Sequence, residues 1–327
     1  MMNGEEKWVV GIDIGGTAIK LAFIRPQGEM IYKWEIETNH LNHGEEIPNC
    51  IAKEIEKKRL ELGLIKGKIL AVGAGAPGSV DVVTGIVNEA INLRWSHRYP
   101  LQQKLEDACQ LPVVIDNDAN CAALGEMWQG AGISSRNLVF VTIGTGIGSG
   151  IIINGHIVHG AGGAAGEIGH VTVIPVGGAL CNCGKMGCLE TVASATGIVR
   201  QATALVSEAS ASDDGLSTLY KQNGVFSARD IFELAKTGDY KANTVVQTSL
   251  SHLGIALANV ANTLNPETIV IGGGVSRAGD FLLSQLNLIF HQHAFQSVKE
   301  TTVLTLASKG NDAGVLGAAW LAKQQYM

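Results

Sequence analysis

The sequence predicts an α/β protein of two lobes, each a sheet with flanking helices, on three observations. Runs of β-branched and apolar residues alternate with amphipathic runs through short loops, as strands alternate with helices in this class. A strand, glycine turn, strand unit occurs twice, 129 residues apart, a period too long for a solenoid and suited to duplication of a whole lobe. The chain has 327 residues, 46% hydrophobic and 17% charged, which suffices for two cores and excludes a disordered chain.

The first unit opens with WVVGIDI and AIKLAFI, Trp8 to Ile24, two strands around Gly15-Gly16-Thr17. Apolar residues at 47, 51, 55 and 62 among charged ones predict an amphipathic helix stopped by Gly63. ILAVGAGAPG reads as the next strand and PVVID, Pro112 to Asp116, as a short buried one. Asp118 directly precedes the helical run ANCAALGEMW and lies at a strand-to-helix junction, where functional residues of α/β folds gather. The second copy begins at Leu138, with LVFVTIG and GSGIIIN flanking Thr145-Gly146-Ile147. Ser207 to Gly215 is small and polar and reads as a surface loop. Leu250, Leu253, Leu257, Val260, Ala261 and Leu264 recur at helical spacing up to Asn265-Pro266, after which TIVIGGG is a strand running into a glycine turn. A last helix spans Ala313 to Lys323.

With 24 Lys+Arg against 30 Asp+Glu the net charge is -6, so the chain has no cationic surplus for nucleic acid or an anionic membrane. The longest uncharged stretch, Asn137 to Gly155, is broken by four alternate glycines and suits a hairpin rather than a membrane span. The N-terminus shows no signal-peptide pattern, and the expected location is the cytoplasm.

Asp13-Ile14-Gly15-Gly16-Thr17, with Lys20 after it, places unhindered backbone N–H groups beside a carboxylate and a hydroxyl, as a bound phosphate and its divalent cation require. A plain glycine turn explains the tripeptide as well, but the second copy, Gly144-Thr145-Gly146-Ile147-Gly148, favours a polyphosphate held between two such turns. Neither copy has Walker or dinucleotide-fold spacing. Gly272-Gly273-Gly274 after a strand would let a base or ribose approach the backbone. Asp116-Asn117-Asp118 offers two carboxylates and an amide to orient hydroxyls and accept a proton, although helix capping by Asn117 or Asp118 accounts for it equally. Of six cysteines, three are crowded into His170-x10-Cys181-x-Cys183-x4-Cys188, one imidazole and three thiols that suit a closed, structural Zn2+ site. Glu167 and Glu190 ride on the segments such a metal would fix.

DIGGTAIK, GAPG, NLRW, DNDANCAALGE, GTGIG, GEIGH, CNCGKMGCLE, ASATG and IGGGVS together resemble the ROK family of sugar kinases, most closely its bacterial ATP-dependent glucokinases. Ser149 is a departure, standing where many members have glycine. The resemblance implies an actin-like, hexokinase-type ATPase fold. Its expected division is residues 1–118, joined by the C-terminal helix at about 311–327, and residues 119–310 with the zinc-binding loop. It implies glucose phosphorylation in carbohydrate metabolism, with ATP and Mg2+ across the glycine hairpins and a homo-oligomer, a dimer, as the assembly. By motif, Asp118 is then the catalytic base; Asn117, Glu167, His170 and Glu190 contact sugar hydroxyls; and His170, Cys181, Cys183 and Cys188 hold zinc. Asp13 holds magnesium through water, Gly15, Gly16, Thr17, Gly144, Thr145 and Gly146 line the phosphates, and Gly272, Gly273 and Gly274 the nucleoside. The alternatives are a fructokinase, an N-acetylmannosamine kinase or a sugar-sensing repressor of the same family. The last needs a DNA-binding segment, for which the twelve residues before Asp13 leave no room.

Overall fold

A computed structural model describes residues 6–65, 67–88, 90–95, 98–208 and 214–327. In chain order the first elements are β1 (Trp8–Ile14), β2 (Ala18–Ile24), β3 (Met30–Glu37), α1 (Ile47–Glu61), β4 (Ile69–Ala76), the short pair β5 (Val80–Asp81) and β6 (Ile86–Val87), α2 (Leu101–Cys109), β7 (Val113–Asn117) and α3 (Asp118–Gln129). Then come β8 (Leu138–Ile143), β9 (Ile147–Ile153), β10 (His156–Ile157), α4 (Glu190–Ala193), α5 (Ala195–Glu208), α6 (Gly215–Asn223), α7 (Ala228–Lys236) and α8 (Tyr240–Leu264). The chain continues with β11 (Thr268–Gly272), α9 (Asp280–His293), α10 (Gln296–Thr301), β12 (Val303–Leu306) and α11 (Ala313–Tyr326). Of the surface loop expected at Ser207 to Gly215, residues 209–213 lie outside the described residues; Ser207 and Glu208 end α5, and Asp214 caps α6.

The two five-stranded sheets have the orders β3-β2-β1-β4-β7 and β10-β9-β8-β11-β12. Placing β8 on β1 carries β9, β10, β11 and β12 onto β2, β3, β4 and β7, so the duplication seen in the hairpins extends to the whole sheet. In each copy the central strand pairs in parallel with the next, β1 with β4 and β8 with β11. A parallel partner needs a crossover, and the intervening helices supply it.

The chain forms two compact units. One comprises residues up to Arg136, Gly150–Ala165 and Ser308–Met327; the other comprises Asn137–Ser149 and Gly166–Ala307. The sequence places a boundary after Asp118, whereas by packing α3 stays in the first unit, because α3 lies against α11 there.

The first sheet is buried on both faces, which is why β1 reads as an almost unbroken apolar run. Val10, Ile12 and Ile14 point into a core with Ile47, Ile51 and Leu105 from α1 and α2. Val9, Ala22 and Ala71 face Val315, Leu316 and Ala319 of α11. α11 packs unusually closely on both β4 and α3: a Cβ on Gly73 of β4 would come within 1.7 Å of the Ala318 carbonyl, and one on Gly317 within 1.6 Å of the Cys121 carbonyl of α3, so only hydrogen fits at either place. Among the described residues no helix is long and apolar enough to cross a membrane.

Candidate active site

In the first unit the β1–β2 turn is held by its carbonyls. Thr38 Oγ1 donates to Gly15 O at 2.7 Å and His40 Nε2 to Gly16 O at 2.7 Å. Among the described residues the Gly16 and Thr17 N–H groups have no acceptor, which leaves the turn a donor-rich concavity for an anion. Asp13, at the end of β1, accepts from Lys20 Nζ at 3.2 Å. Its carboxylate lies against Gly314 at the start of α11, where a Cβ would come within 3.0 Å of it.

The end of β7 presents Asp116, Asn117 and Asp118 in three different roles. Asn117 is the N-cap of α3: its Oδ1 accepts from Ala119 N at 2.9 Å and Asn120 N at 3.2 Å. Its Nδ2 donates to Gly78 O at 3.0 Å, which leaves one amide hydrogen for a ligand. Asp116, 2% exposed, accepts from Asn117 N at 2.7 Å and Asn120 Nδ2 at 2.9 Å through Oδ1, and meets His159 Nε2 at 2.8 Å through Oδ2. The hydrogen bond to Asp116 in turn raises the pKa of His159. Asp118 accepts from Ala119 N at 2.8 Å. Burial, and then the charge of Asp13, push its carboxyl up to about 6. A carboxyl poised there is ionised at neutral pH yet basic enough to take a proton, as a general base requires.

The second unit repeats the turn. Gly144 N donates to Gly146 O at 2.9 Å, Gly144 O accepts from Ala195 N at 2.9 Å, and the Thr145 and Gly146 N–H groups have no acceptor among the described residues. Glu190, first residue of α4, accepts from Ile147 N at 2.9 Å through Oε2, and a Cβ on Gly146 would come within 2.2 Å of that oxygen. Beyond β11, Gly273 adopts φ 85° against the backbone of Ile143, and Gly274 borders open space. A cavity of about 440 Å³ opens there, lined by Ala195, Arg229, Phe232, Gly274, Val275 and Arg277 among others. Ala195 belongs both to that cavity and to the Gly144 turn.

His170, Cys181, Cys183 and Cys188 converge with their ligand atoms within 4.8 Å of one another. Cys181 Sγ is 3.5 Å from His170 Nδ1, and Cys183 Sγ is 3.6 Å from Cys188 Sγ. A tetrahedral ion with bonds of about 2.0–2.3 Å separates its ligands by nearly these distances, so the four residues fit zinc. Burial pushes the Cys181 and Cys188 thiols up, whereas the Lys185 backbone N–H pulls Cys183 down. If Nδ1 serves the metal, His170 Nε2 stays free, 3.8 Å from Glu167 Oε2. The Cys181 thiol lies 3.8 Å from Glu190 Oε1 and links the cluster to the second turn.

The residues singled out in the sequence thus fall into two sets. Asp13, Gly15, Gly16, Thr17, Asn117 and Asp118 lie in the first unit; Gly144, Thr145, Gly146, Glu167, His170, Glu190, the three cysteines and Gly272 to Gly274 lie in the second. Sequence reasoning missed His159, Arg229, Phe232 and Arg277. Phe232 and Arg229 belong to a helix whose start was signalled by the Ser227–Asp230 capping box. Nothing local marks His159, because its partner is 43 residues away.

The ROK family pattern matches residues 9–325. A glucokinase from Halalkalibacterium halodurans is 50% identical over 320 residues, 98% of this chain and 96% of that protein. The crystal structure of a ROK hexokinase from Thermus thermophilus is similar with a TM-score of 0.83 at 31% identity, covering 97% of this chain and 98% of that one. That of a ROK family glucokinase from Streptomyces griseus in complex with glucose and AMPPNP has a TM-score of 0.78 at 33% identity, covering 97% and 99%.

Proposed function

The chain belongs to the ROK family, and from that premise we propose that it is a kinase that transfers the γ-phosphoryl group of ATP to glucose, with Asp118 as the base. The observation that carries the catalytic assignment is the raised Asp118 carboxyl beside Asp13, in a unit whose turn has engaged carbonyls and open N–H groups. Phosphoryl transfer asks little covalent chemistry of a protein and much positioning and charge neutralisation. Asp118 takes the proton of the sugar hydroxyl as the oxygen attacks phosphorus. Asn117 spends its remaining amide hydrogen on a neighbouring hydroxyl.

In the second unit, Glu167, Glu190 and His170 Nε2 accept or donate to further hydroxyls. A misplaced hydroxyl would leave one of these groups unpaired, which discriminates epimers. The open N–H groups of Gly16, Thr17, Thr145 and Gly146 bind phosphate oxygens, and the cavity beside Gly274 takes the nucleoside, with Arg229 and Arg277 at its rim. A divalent cation held by Asp13 through water would neutralise charge on the donor phosphates. His170, Cys181, Cys183 and Cys188 would hold zinc with all four positions filled by protein, so the ion would orient His170 and its loop rather than activate water.

A coupled assay of ADP release across a panel of hexoses tests the assignment. Glucose should give the highest kcat/KM; a higher value for fructose or N-acetylmannosamine would overturn the substrate choice.

A further inference from the structure

The segment carrying Glu167 is tied by side-chain hydrogen bonds to β9. Ser149, on β9, is 8% exposed and belongs with Glu167 to the second unit. Its hydroxyl donates to the Gly166 carbonyl and accepts from the Ile168 N–H at 3.3 Å. These two groups stand on either side of Glu167. Glu167 itself is exposed, and its carboxylate lies 3.8 Å from His170 Nε2. Its place is therefore decided by the backbone around it. Gly166 adopts φ 88°, a conformation that favours glycine, and the following turn closes with His170 N donating to Glu167 O at 3.1 Å. The same strand serves the other carboxylate, since Ile147, two residues before Ser149, donates its N–H to Glu190. Gly169 seals the arrangement: a Cβ there would come within 2.2 Å of the Ile147 carbonyl. The Ile168 N–H also donates directly to the Gly166 carbonyl at 2.6 Å, closing a tight turn around Glu167. Without a hydroxyl at 149 that turn keeps its own hydrogen bond but loses its tie to β9.

We propose that Ser149 is a positioning residue for hexose recognition: by fixing the backbone on both sides of Glu167 it sets where that carboxylate meets the sugar. The proposal rests on Glu167 being a sugar ligand. In this reading Ser149 acts through Glu167, by way of its bonds to Gly166 and Ile168, and this separates it from a general stabiliser of the fold.

Steady-state kinetics of the full chain with Ser149→Ala, Ser149→Gly, Glu167→Gln and the double variant Ser149→Ala/Glu167→Gln provide the test. Ser149→Ala should raise the KM for glucose roughly five- to tenfold, about the worth of one buried hydrogen bond, with the KM for ATP and kcat within about twofold. Ser149→Gly should do the same or more. In the Glu167→Gln background the alanine should add less than about twofold, because the contact it positions is already lost. An unchanged glucose KM in both Ser149 variants would overturn the proposal. So would a parallel rise in the KM for ATP, or the full effect persisting in the double variant. If Glu167→Gln itself left the glucose KM unchanged, the ligand assignment would fail first and take the proposal with it, a pattern distinct from failure of the Ser149 variants alone.

Discussion

Asn117 and Asp118 are adjacent but stand in different surroundings. Capping belongs to Asn117, whose side chain takes two helix N–H groups. Asp118 is the first helical residue and is left with a carboxyl pushed up to about 6 from 3.8. Two outcomes follow for Asp118→Asn. Loss of the proton acceptor should lower kcat by about 10²- to 10⁴-fold with little change in glucose KM. The same change should raise stability at neutral pH. In the wild type the unfolded chain loses this proton near pH 3.8 and the folded one near 6, so stability falls as pH rises through that window and stays lower above it. Removing the carboxyl lifts a penalty on the order of 1–3 kcal/mol. The melting temperature of the variant should exceed the wild type's at pH 7.5 and match it below pH 4. In the wild type, kcat/KM for glucose should fall about tenfold per pH unit below 6. The pairing of Asp116 with His159 was invisible by contrast, since a single histidine after a two-residue strand carries no periodicity or motif to mark it.

Elements with strong periodicity or turn chemistry were legible: α1 stopping before Gly63, α8 ending at the left-handed Asn265, and both glycine hairpins. What α11 does was not. Its existence follows from the sequence, but from Ala313 to Ala322 it is apolar all round, which hides which face meets what, and only the closeness of Gly73 and Gly317 to facing carbonyls explains their being glycine. Gly317→Ala should cost about 2–3 kcal/mol by overpacking, visible as a lower urea midpoint at unchanged slope. Gly224, equally glycine but bordering open space, gives a contrast, and at its φ of 70° alanine should cost only about 1 kcal/mol. The cysteine loop allows a different test. Between Gly169 and Glu190 the backbone pairs only through two isolated bridges, Thr172 with Cys188 and Leu180 with Met186, and through turns, so a metal on the cluster would add a fixed point to a segment without regular strands or helices. Elemental analysis of untagged protein should find one zinc per chain, and stripping it with a chelator should lower the melting temperature and raise the glucose KM; a zinc-free protein that melts normally would refute the site.

At the scale of the molecule, duplication was legible because each copy keeps its glycine turn at the same place in the strand order. The division into units was less so, since a chain that passes between bodies at Arg136, Ser149, Ala165 and Ala307 does so without a linker-like change of composition. One consequence of that path concerns synthesis. The sheet of β1, β2, β3, β4 and β7 is complete in the nascent chain by Asn117, but α11, which covers its second face, emerges only after residue 307. At about 5–20 residues per second the ribosome leaves Val9, Ala22 and Ala71 uncovered for roughly ten to forty seconds. Nascent chains arrested at residue 307 should therefore be cut by protease in the first unit and bind a holdase chaperone there. Release of twenty more residues should abolish both, so expression of this protein should respond to chaperone supply more sharply than its finished stability would suggest.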